Sequence, residues 1–135
     1  MALLEIKNIN CFYGDVQVLY DVSMHVDEGE VISLIGANGA GKSTTLRTIS
    51  GLMRPSSGEI VFENKPIHHL RPERIVERGI ILVPEGRKLF SLMTVRENLE
   101  VGAYNARAYP HLNETLKDVY RLLPRLEERE NQLAI

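Results

Sequence analysis

The stretch that decides the fold is Gly36-Ala37-Asn38-Gly39-Ala40-Gly41-Lys42-Ser43, which has the pattern G-x-x-x-x-G-K-S. It follows the apolar residues 31–35 (VISLI) and leads into residues 44–49 (TTLRTI), which favour a helix. A buried strand, a glycine-rich turn and a helix start are the context in which this pattern binds phosphate. The glycines allow backbone angles at which successive N–H groups point at one anion, and the helix adds the positive end of its dipole. The sequence therefore predicts a phosphate-binding loop.

Three residues of this loop have expected roles. Lys42 can reach the β- and γ-phosphates of a nucleotide, and the Ser43 hydroxyl can complete the coordination shell of a Mg²⁺ ion. Asn38 is interpreted as a loop residue that tolerates left-handed backbone angles and offers only its backbone to the phosphates. The loop thus predicts binding of a nucleoside triphosphate with Mg²⁺.

Composition limits the remaining possibilities. A length of 135 residues suits one domain, and 44% hydrophobic with 25% charged residues is ordinary for a soluble globular protein. A net charge of −2 gives no support to a nucleic-acid-binding surface. No apolar run approaches the roughly 18 residues that span a bilayer, and no signal-peptide pattern is expected at the N-terminus. The single cysteine, Cys11, is interpreted as a small packed residue in a cytosolic protein.

The flanking segments predict an α/β fold. Residues 3–10 and 18–26 read as an antiparallel pair of strands, and residues 59–63 as a further short strand. Residues 31–35 and 80–83 are continuous apolar runs, as expected of strands buried in a parallel sheet. A short helix is expected at residues 71–79, which begin with an early proline and end on glycine. Thr94 and Glu97 form a capping-box pattern that predicts a helix to about Tyr104, and Asn113 is expected to cap another helix that Pro124 interrupts.

With these elements placed, the sequence resembles the ATP-binding subunits of ABC transporters over nearly its whole length. Besides the phosphate loop, three features carry the resemblance. The first is Tyr13, 23 residues before Gly36, and the second is the S-G-E-I strand at residues 57–60. The third is the segment that begins with V-P-E-G-R at residues 83–87 and ends with M-T-V-R-E-N-L at residues 93–99. The form V-P-E-G-R, in place of V-P-Q, is most similar to one of the two ATPase subunits of branched-chain amino-acid importers. The resemblance implies a P-loop NTPase fold of the ABC type, with a parallel core sheet and an antiparallel β subdomain.

The resemblance also implies roles for individual residues. Tyr13 would stack on adenine, a role favoured over the alternative that it only closes the hairpin. Thr44 would add a hydroxyl near the α-phosphate, or equally it would simply start the helix. Glu85 stands where most of the family has a glutamine that meets Mg²⁺ or the attacking water. A carboxylate can supply the same oxygen donor and adds a negative charge near the metal. The alternative is that Glu85 is only a solvated charge on the loop. Lys42 and Glu85 are therefore the expected catalytic residues, and Ser43 and Glu85 the expected metal ligands, with ATP and Mg²⁺ as cofactors.

The family relationship implies a division of the chain and a set of partners. We expect an antiparallel β subdomain at about residues 1–30 and 58–66, a P-loop core at about 31–57 and 67–93, and the start of a helical subdomain at about 94–135. The expected partners are transmembrane permease subunits, a second ATP-binding subunit in a head-to-tail dimer and, indirectly, a periplasmic or extracellular substrate-binding protein. No nucleic-acid partner is expected. The location implied is the cytoplasmic side of the cell membrane, as a peripheral subunit.

The family's later motifs, which are the signature helix, the strand with the catalytic glutamate and the switch histidine, are not found in residues 1–135. The sequence is therefore interpreted as the N-terminal portion of such a subunit, inactive alone because it lacks the residue that positions water for hydrolysis. Two alternatives remain open at this stage: a nucleotide-binding remnant without turnover, and a soluble ABC ATPase of repair or translation. A GTPase is disfavoured, since Tyr13 and the early antiparallel strands would be unexplained.

Overall fold

The computed structural model describes residues 1–135 as two compact units, Met1–Leu82 and Val83–Ile135. The first unit contains a four-stranded antiparallel sheet in the order β2-β1-β3-β4. The strands are β1 (Ala2–Tyr13), β2 (Val16–Asp27), β3 (Ser57–Phe62) and β4 (Lys65–Pro66), and the helices of this unit are α1 (Lys42–Ile49) and α2 (Pro72–Arg78). The α/β class and the antiparallel sheet are thus as predicted.

The core of the first unit lies against one face of the sheet. Ile6, Ile9 and Cys11 of β1 are all buried there, although Ile6 and Ile9 are an odd number of residues apart. Regular alternation would place them on opposite faces, and the left-handed backbone of Asn8, with φ +49°, changes the phase between them. The remaining members of the core cluster come from β2, α1, β3 and the segment after β4: Leu19, Ile49, Ile60, Phe62 and Ile67.

Two predicted strands are not formed. Residues 31–35 and 80–83 belong to no strand, so the predicted parallel sheet is not present within the chain. Strands exist only as hydrogen-bonded ladders, and the one sheet of the structure is antiparallel and ends at β2 and β4. As a result Val31 and Ile35 are 93% and 95% exposed, and Val83 is 86% exposed. An apolar run predicts a strand correctly only when a neighbouring strand is available to pair with it.

These exposed runs lead to a prediction about the chain by itself. Residues 1–135, expressed alone, are expected to be marginally folded and to self-associate, because unpaired backbone and bare apolar side chains favour strand pairing between molecules. Size-exclusion chromatography and calorimetry test this expectation. A monomer that melts in one cooperative transition would contradict it.

The second unit is built from short helices. These are α3 (Val95–Val101), a 3₁₀ turn (Tyr109–His111), α4 (Leu112–Leu122) and α5 (Pro124–Glu128). The predicted capping box is confirmed: Glu97 N donates to Thr94 Oγ1 at 3.1 Å, and Thr94 N donates to Glu97 Oε2 at 2.7 Å. The predicted cap at Asn113 is wrong, because helical backbone begins earlier, at the turn containing Pro110, and the residue before α4 is His111.

The C-terminal segment closes this unit against the start of α3. Gln132 O and Glu130 O accept from the backbone amides of Val95 and Arg96 at 2.9 and 3.0 Å, satisfying groups that the helix itself leaves unpaired. Tyr120, buried in α4, donates its hydroxyl to Glu130 Oε2 at 2.9 Å. Burial raises the pKa of Tyr120, and the hydrogen bond to Glu130 raises it further.

No helix of the chain has the length and apolar character that a membrane span requires.

Candidate nucleotide-binding site

The predicted phosphate loop lies directly before α1, at the position the sequence indicated. Helix α1 begins at Lys42 and its N-cap residue is Gly41, which has a left-handed backbone with φ +97°. A helix leaves its first amides without intrahelical partners, so the start of α1 presents N–H groups and a positive dipole end at the loop. Thr45 already satisfies the Gly41 carbonyl, through its amide at 2.9 Å and its hydroxyl at 2.8 Å. The loop is therefore joined rigidly to the helix that follows it.

Lys42 is half-buried and closes the loop. Its ammonium group donates to the carbonyl oxygens of Gly36 and Ala37, the second at 2.8 Å. A backbone hydrogen bond of 3.1 Å from Ala40 N to Ala37 O folds the intervening residues into a turn. A Cβ atom on Gly36 would come within 3.2 Å of Ala40 Cβ, so the two ends of the turn approach closely. The ammonium group thus ties the start of the loop to the start of α1.

The other loop residues occupy distinct positions. Ser43 is exposed at the start of α1, whereas Thr44 beside it is only 9% exposed and packs into the first unit. The left-handed backbone of the loop is adopted by Gly39, with φ +84°, and by Gly41, and not by Asn38. The chain holds no group of three or more His, Cys, Asp or Glu residues suited to bind a metal.

Tyr13 lies at the tip of the hairpin formed by β1 and β2. It pairs with Val16 across the turn and is 49% exposed. The same hairpin reaches the phosphate loop a few residues further on, where Leu19 packs against Gly41. The first unit therefore places an exposed aromatic ring and the phosphate loop on one connected substructure.

Glu85 lies in the second unit, in the exposed segment that precedes α3. The far end of this segment is fixed to the helix by Asn98, whose carboxamide accepts from Phe90 N at 2.9 Å and donates to Phe90 O at 3.0 Å. This pairing explains an asparagine in the middle of α3, where its helix propensity is poor.

The contact of Leu19 with Gly41 is a feature that sequence reasoning missed. Leu19 was expected only as a strand residue, and its position 22 residues before Gly41 carries no signal of contact. The polar residues that hold Leu19 in place, Asn10 and Gln17, belong to no recognisable motif. Only the folded hairpin brings them near the loop.

The fold and this loop are those of a P-loop ATP-binding cassette. A profile of the family described as ABC transporter matches residues 19–134, and the chain belongs to this family. It is 42% identical over 132 residues to the high-affinity branched-chain amino acid transport ATP-binding protein BraG of Pseudomonas aeruginosa, covering 98% of this chain and 56% of that protein. It is 32% identical over 137 residues to the SkfA peptide export ATP-binding protein SkfE of Bacillus subtilis, covering 99% of this chain and 54% of that protein.

Solved structures agree with this assignment. The ADP conformation of an ATP-binding cassette of an ABC transporter superposes with a TM-score of 0.79 at 28% identity, covering 99% of this chain and 58% of that one. The chain thus spans about half the length of the relatives that it matches.

Proposed function

We propose that the chain supplies the nucleotide-binding part of the ATP-binding subunit of an ABC importer, in which Mg-ATP binding and hydrolysis power the uptake of branched-chain amino acids. The observation that carries the proposal is the cradle of residues 36–43, closed by the Lys42 ammonium group and continued by the start of α1. Backbone amides, a helix N-terminus and one lysine form an arrangement that recognises a polyphosphate. Binding of Mg-ATP and of Mg-tripolyphosphate, measured by isothermal titration, tests it directly. If the full-length protein bound neither Mg-ATP nor Mg-tripolyphosphate, the proposal would be refuted.

The substrate class rests on V-P-E-G-R at residues 83–87 and on the similarity to BraG. The similarity to SkfE, whose name refers to peptide export, makes the transport assay the deciding experiment. Uptake of labelled leucine, isoleucine and valine should fall when the gene is deleted and return when it is restored. Normal uptake of all three amino acids in the deletion strain would refute the substrate assignment. The proposed ATP-binding role would still stand.

The partners follow from the same proposal. The subunit would work with transmembrane permease subunits and a second ATP-binding subunit, arranged head to tail, on the cytoplasmic face of the membrane. A substrate-binding protein outside the membrane would act indirectly, by delivering the amino acid to the permease. Co-purification of the full-length protein with a membrane protein encoded beside it is the corresponding test.

Tyr13 is proposed to stack on adenine. Tyr13→Ala is expected to weaken ATP binding by about 1–3 kcal/mol, the range for base–aromatic stacking, and to leave tripolyphosphate binding unchanged. Titration of the variant with ATP and with tripolyphosphate compares the two affinities. Tyr104→Ala, which removes another exposed tyrosine, serves as the control. Unchanged ATP affinity in Tyr13→Ala would exclude the stacking role.

Glu85 is proposed to supply an oxygen to Mg²⁺ or to the attacking water. Glu85→Gln should retain ATP binding and alter either the Mg²⁺ dependence of ATP hydrolysis or the ratio of transport to hydrolysis, because the amide removes the negative charge and keeps an oxygen donor. Glu114→Gln, a change at an exposed carboxylate of α4, is the matched control. If Glu85→Ala also retains wild-type activity and Mg²⁺ response, Glu85 is a surface charge.

A further inference from the structure

The backbone of β2 is irregular on both sides of Leu19. Leu19 pairs with Cys11, but the neighbouring pairs are Ile9 with Val22 and Phe12 with Gln17. Relative to β1, the second strand therefore carries extra residues both before and after Leu19. Such bulges interrupt the ladder and leave backbone groups that need other hydrogen-bond partners.

Two carboxamides supply those partners. Gln17 Nε2 donates to Leu19 O at 2.9 Å and to Asn10 Oδ1 at 2.8 Å, and Asn10 Oδ1 also accepts from Asp21 N at 3.0 Å. The Asn10 amide nitrogen donates to Asp21 Oδ1 at 2.9 Å and to Ser57 Oγ at 3.0 Å. Leu19 is thus held from both bulges, and the network is fixed to the neighbouring strand β3.

Leu19 in turn fills the space beside the phosphate loop. A Cβ atom on Gly41 would lie 2.6 Å from Leu19 Cδ2 and 3.3 Å from the carbonyl oxygen of Val18. Leu19 is 2% exposed, and the left-handed Gly41 is the last residue before α1. A displacement of Leu19 would therefore act on Gly41 directly, because packed interiors have little free space to absorb it.

We propose that Gln17, acting with Asn10, is a positioning residue of the phosphate loop. Its carboxamide fixes the bulged backbone so that Leu19 holds Gly41 in its left-handed conformation, and this conformation directs the amides of the loop and of the α1 start at the phosphates. The Gln17 carboxamide donates to Asn10 and to Leu19, so it acts on the loop through Leu19. The inference rests on the proposed nucleotide-binding function and deepens it.

The test uses Gln17→Met, which keeps the length of the side chain and removes both donated hydrogen bonds, and Gln17→Glu as a second variant. Dissociation constants for Mg-ATP and Mg-tripolyphosphate are measured on the full-length protein at a temperature well below its melting transition. Both ligands should bind about tenfold more weakly and by the same factor, as expected when hydrogen bonds that orient phosphate-binding groups are lost. Ser23→Ala is the matched control, since Ser23 accepts a hydrogen bond from Asn8 N in the same hairpin and is not part of the hydrogen-bond network of Asn10 and Gln17.

Two further readouts separate positioning from general destabilisation. The amide resonances of Gly41 and Lys42 in the ligand-free protein should shift in Gln17→Met and stay in place in Ser23→Ala. In addition, the double variant Gln17→Met with Leu19→Ala should bind no more weakly than Leu19→Ala alone, because residues that act through one another are not additive.

The outcomes are distinct. Wild-type affinity for tripolyphosphate in both Gln17 variants, or losses that add in the double variant, would overturn the positioning role. A loss confined to ATP would also overturn it, by indicating a contact with the nucleoside. If the unmodified protein binds neither ligand, the proposed function fails, and this inference fails with it.

Discussion

Lys42→Ala is expected to weaken Mg-ATP binding by about 1.5–3 kcal/mol, or roughly 10- to 150-fold, the range for a hydrogen bond to a charged group. The ammonium group donates to the carbonyls of Gly36 and Ala37 in the ligand-free loop, so its removal takes away the closure of the cradle as well as the proposed phosphate contact. Tripolyphosphate binding should fall by the same factor as ATP binding, since the lysine is proposed to contact the phosphates and not the base.

The control for this variant is Lys65→Ala. Lys65 carries the same charge at an exposed position on β4, so its loss changes net charge equally without touching the loop. Equal losses of affinity in the two variants would mean that Lys42 acts only through long-range attraction, which increasing salt screens. A difference that persists at about 0.5 M salt would support a direct contact.

The phosphate loop and the capping box could be predicted because their determinants are local. Eight consecutive residues define the loop, and Thr94 with Glu97 defines the start of α3 within one helical turn. The residues of the capping box hydrogen-bond to one another, and the residues of the loop are themselves the groups expected to bind the phosphates. Neither pattern needs a residue that is distant in the sequence.

The two predicted parallel strands depended on information that lies outside their own residues. Residues 31–35 and 80–83 have the apolar character of core strands, but a strand is completed by a neighbour, and no strand of the chain lies beside them. The phase change in β1 was equally hidden. Asn8 lies inside the strand predicted at residues 3–10, and only its left-handed backbone shows why Ile6 and Ile9 share the buried face.

The arrangement around Leu19 could not be predicted for a related reason. Bulges were absent from the sequence interpretation, because a bulge is a mismatch between two strands and is not encoded in either alone. The roles of the Asn10 and Gln17 carboxamides follow only from this mismatch, because they bond to the backbone groups that it leaves unpaired. No local sequence pattern marks positioning residues of this kind.

Gly58→Ala is expected to destabilise the first unit by about 2–6 kcal/mol, combining the strain of a left-handed backbone with overpacking. Gly58 has φ +88°, and a Cβ there would lie 2.4 Å from Asn8 O and 2.6 Å from Lys7 O. These are backbone atoms at the irregular point of the pairing between β1 and β3, so no side chain can rotate to relieve the contact. Small domains have only about 5–15 kcal/mol of stability, so the variant should lose much of it.

Gly29→Ala separates the two causes of this loss. Gly29 has φ +75° but nothing within 4 Å of its Cβ position, so alanine there carries the backbone strain of roughly 1–2 kcal/mol without the clash. Urea unfolding of both variants in the full-length protein gives the comparison, with the midpoint of Gly58→Ala well below that of Gly29→Ala. Equal midpoints would show that β1 moves away from β3 at Asn8 with little loss of free energy. In that case the hydrogen bond from Asn10 to Ser57, a few residues along the same pairing, should also be dispensable, and Ser57→Ala should unfold at the wild-type midpoint.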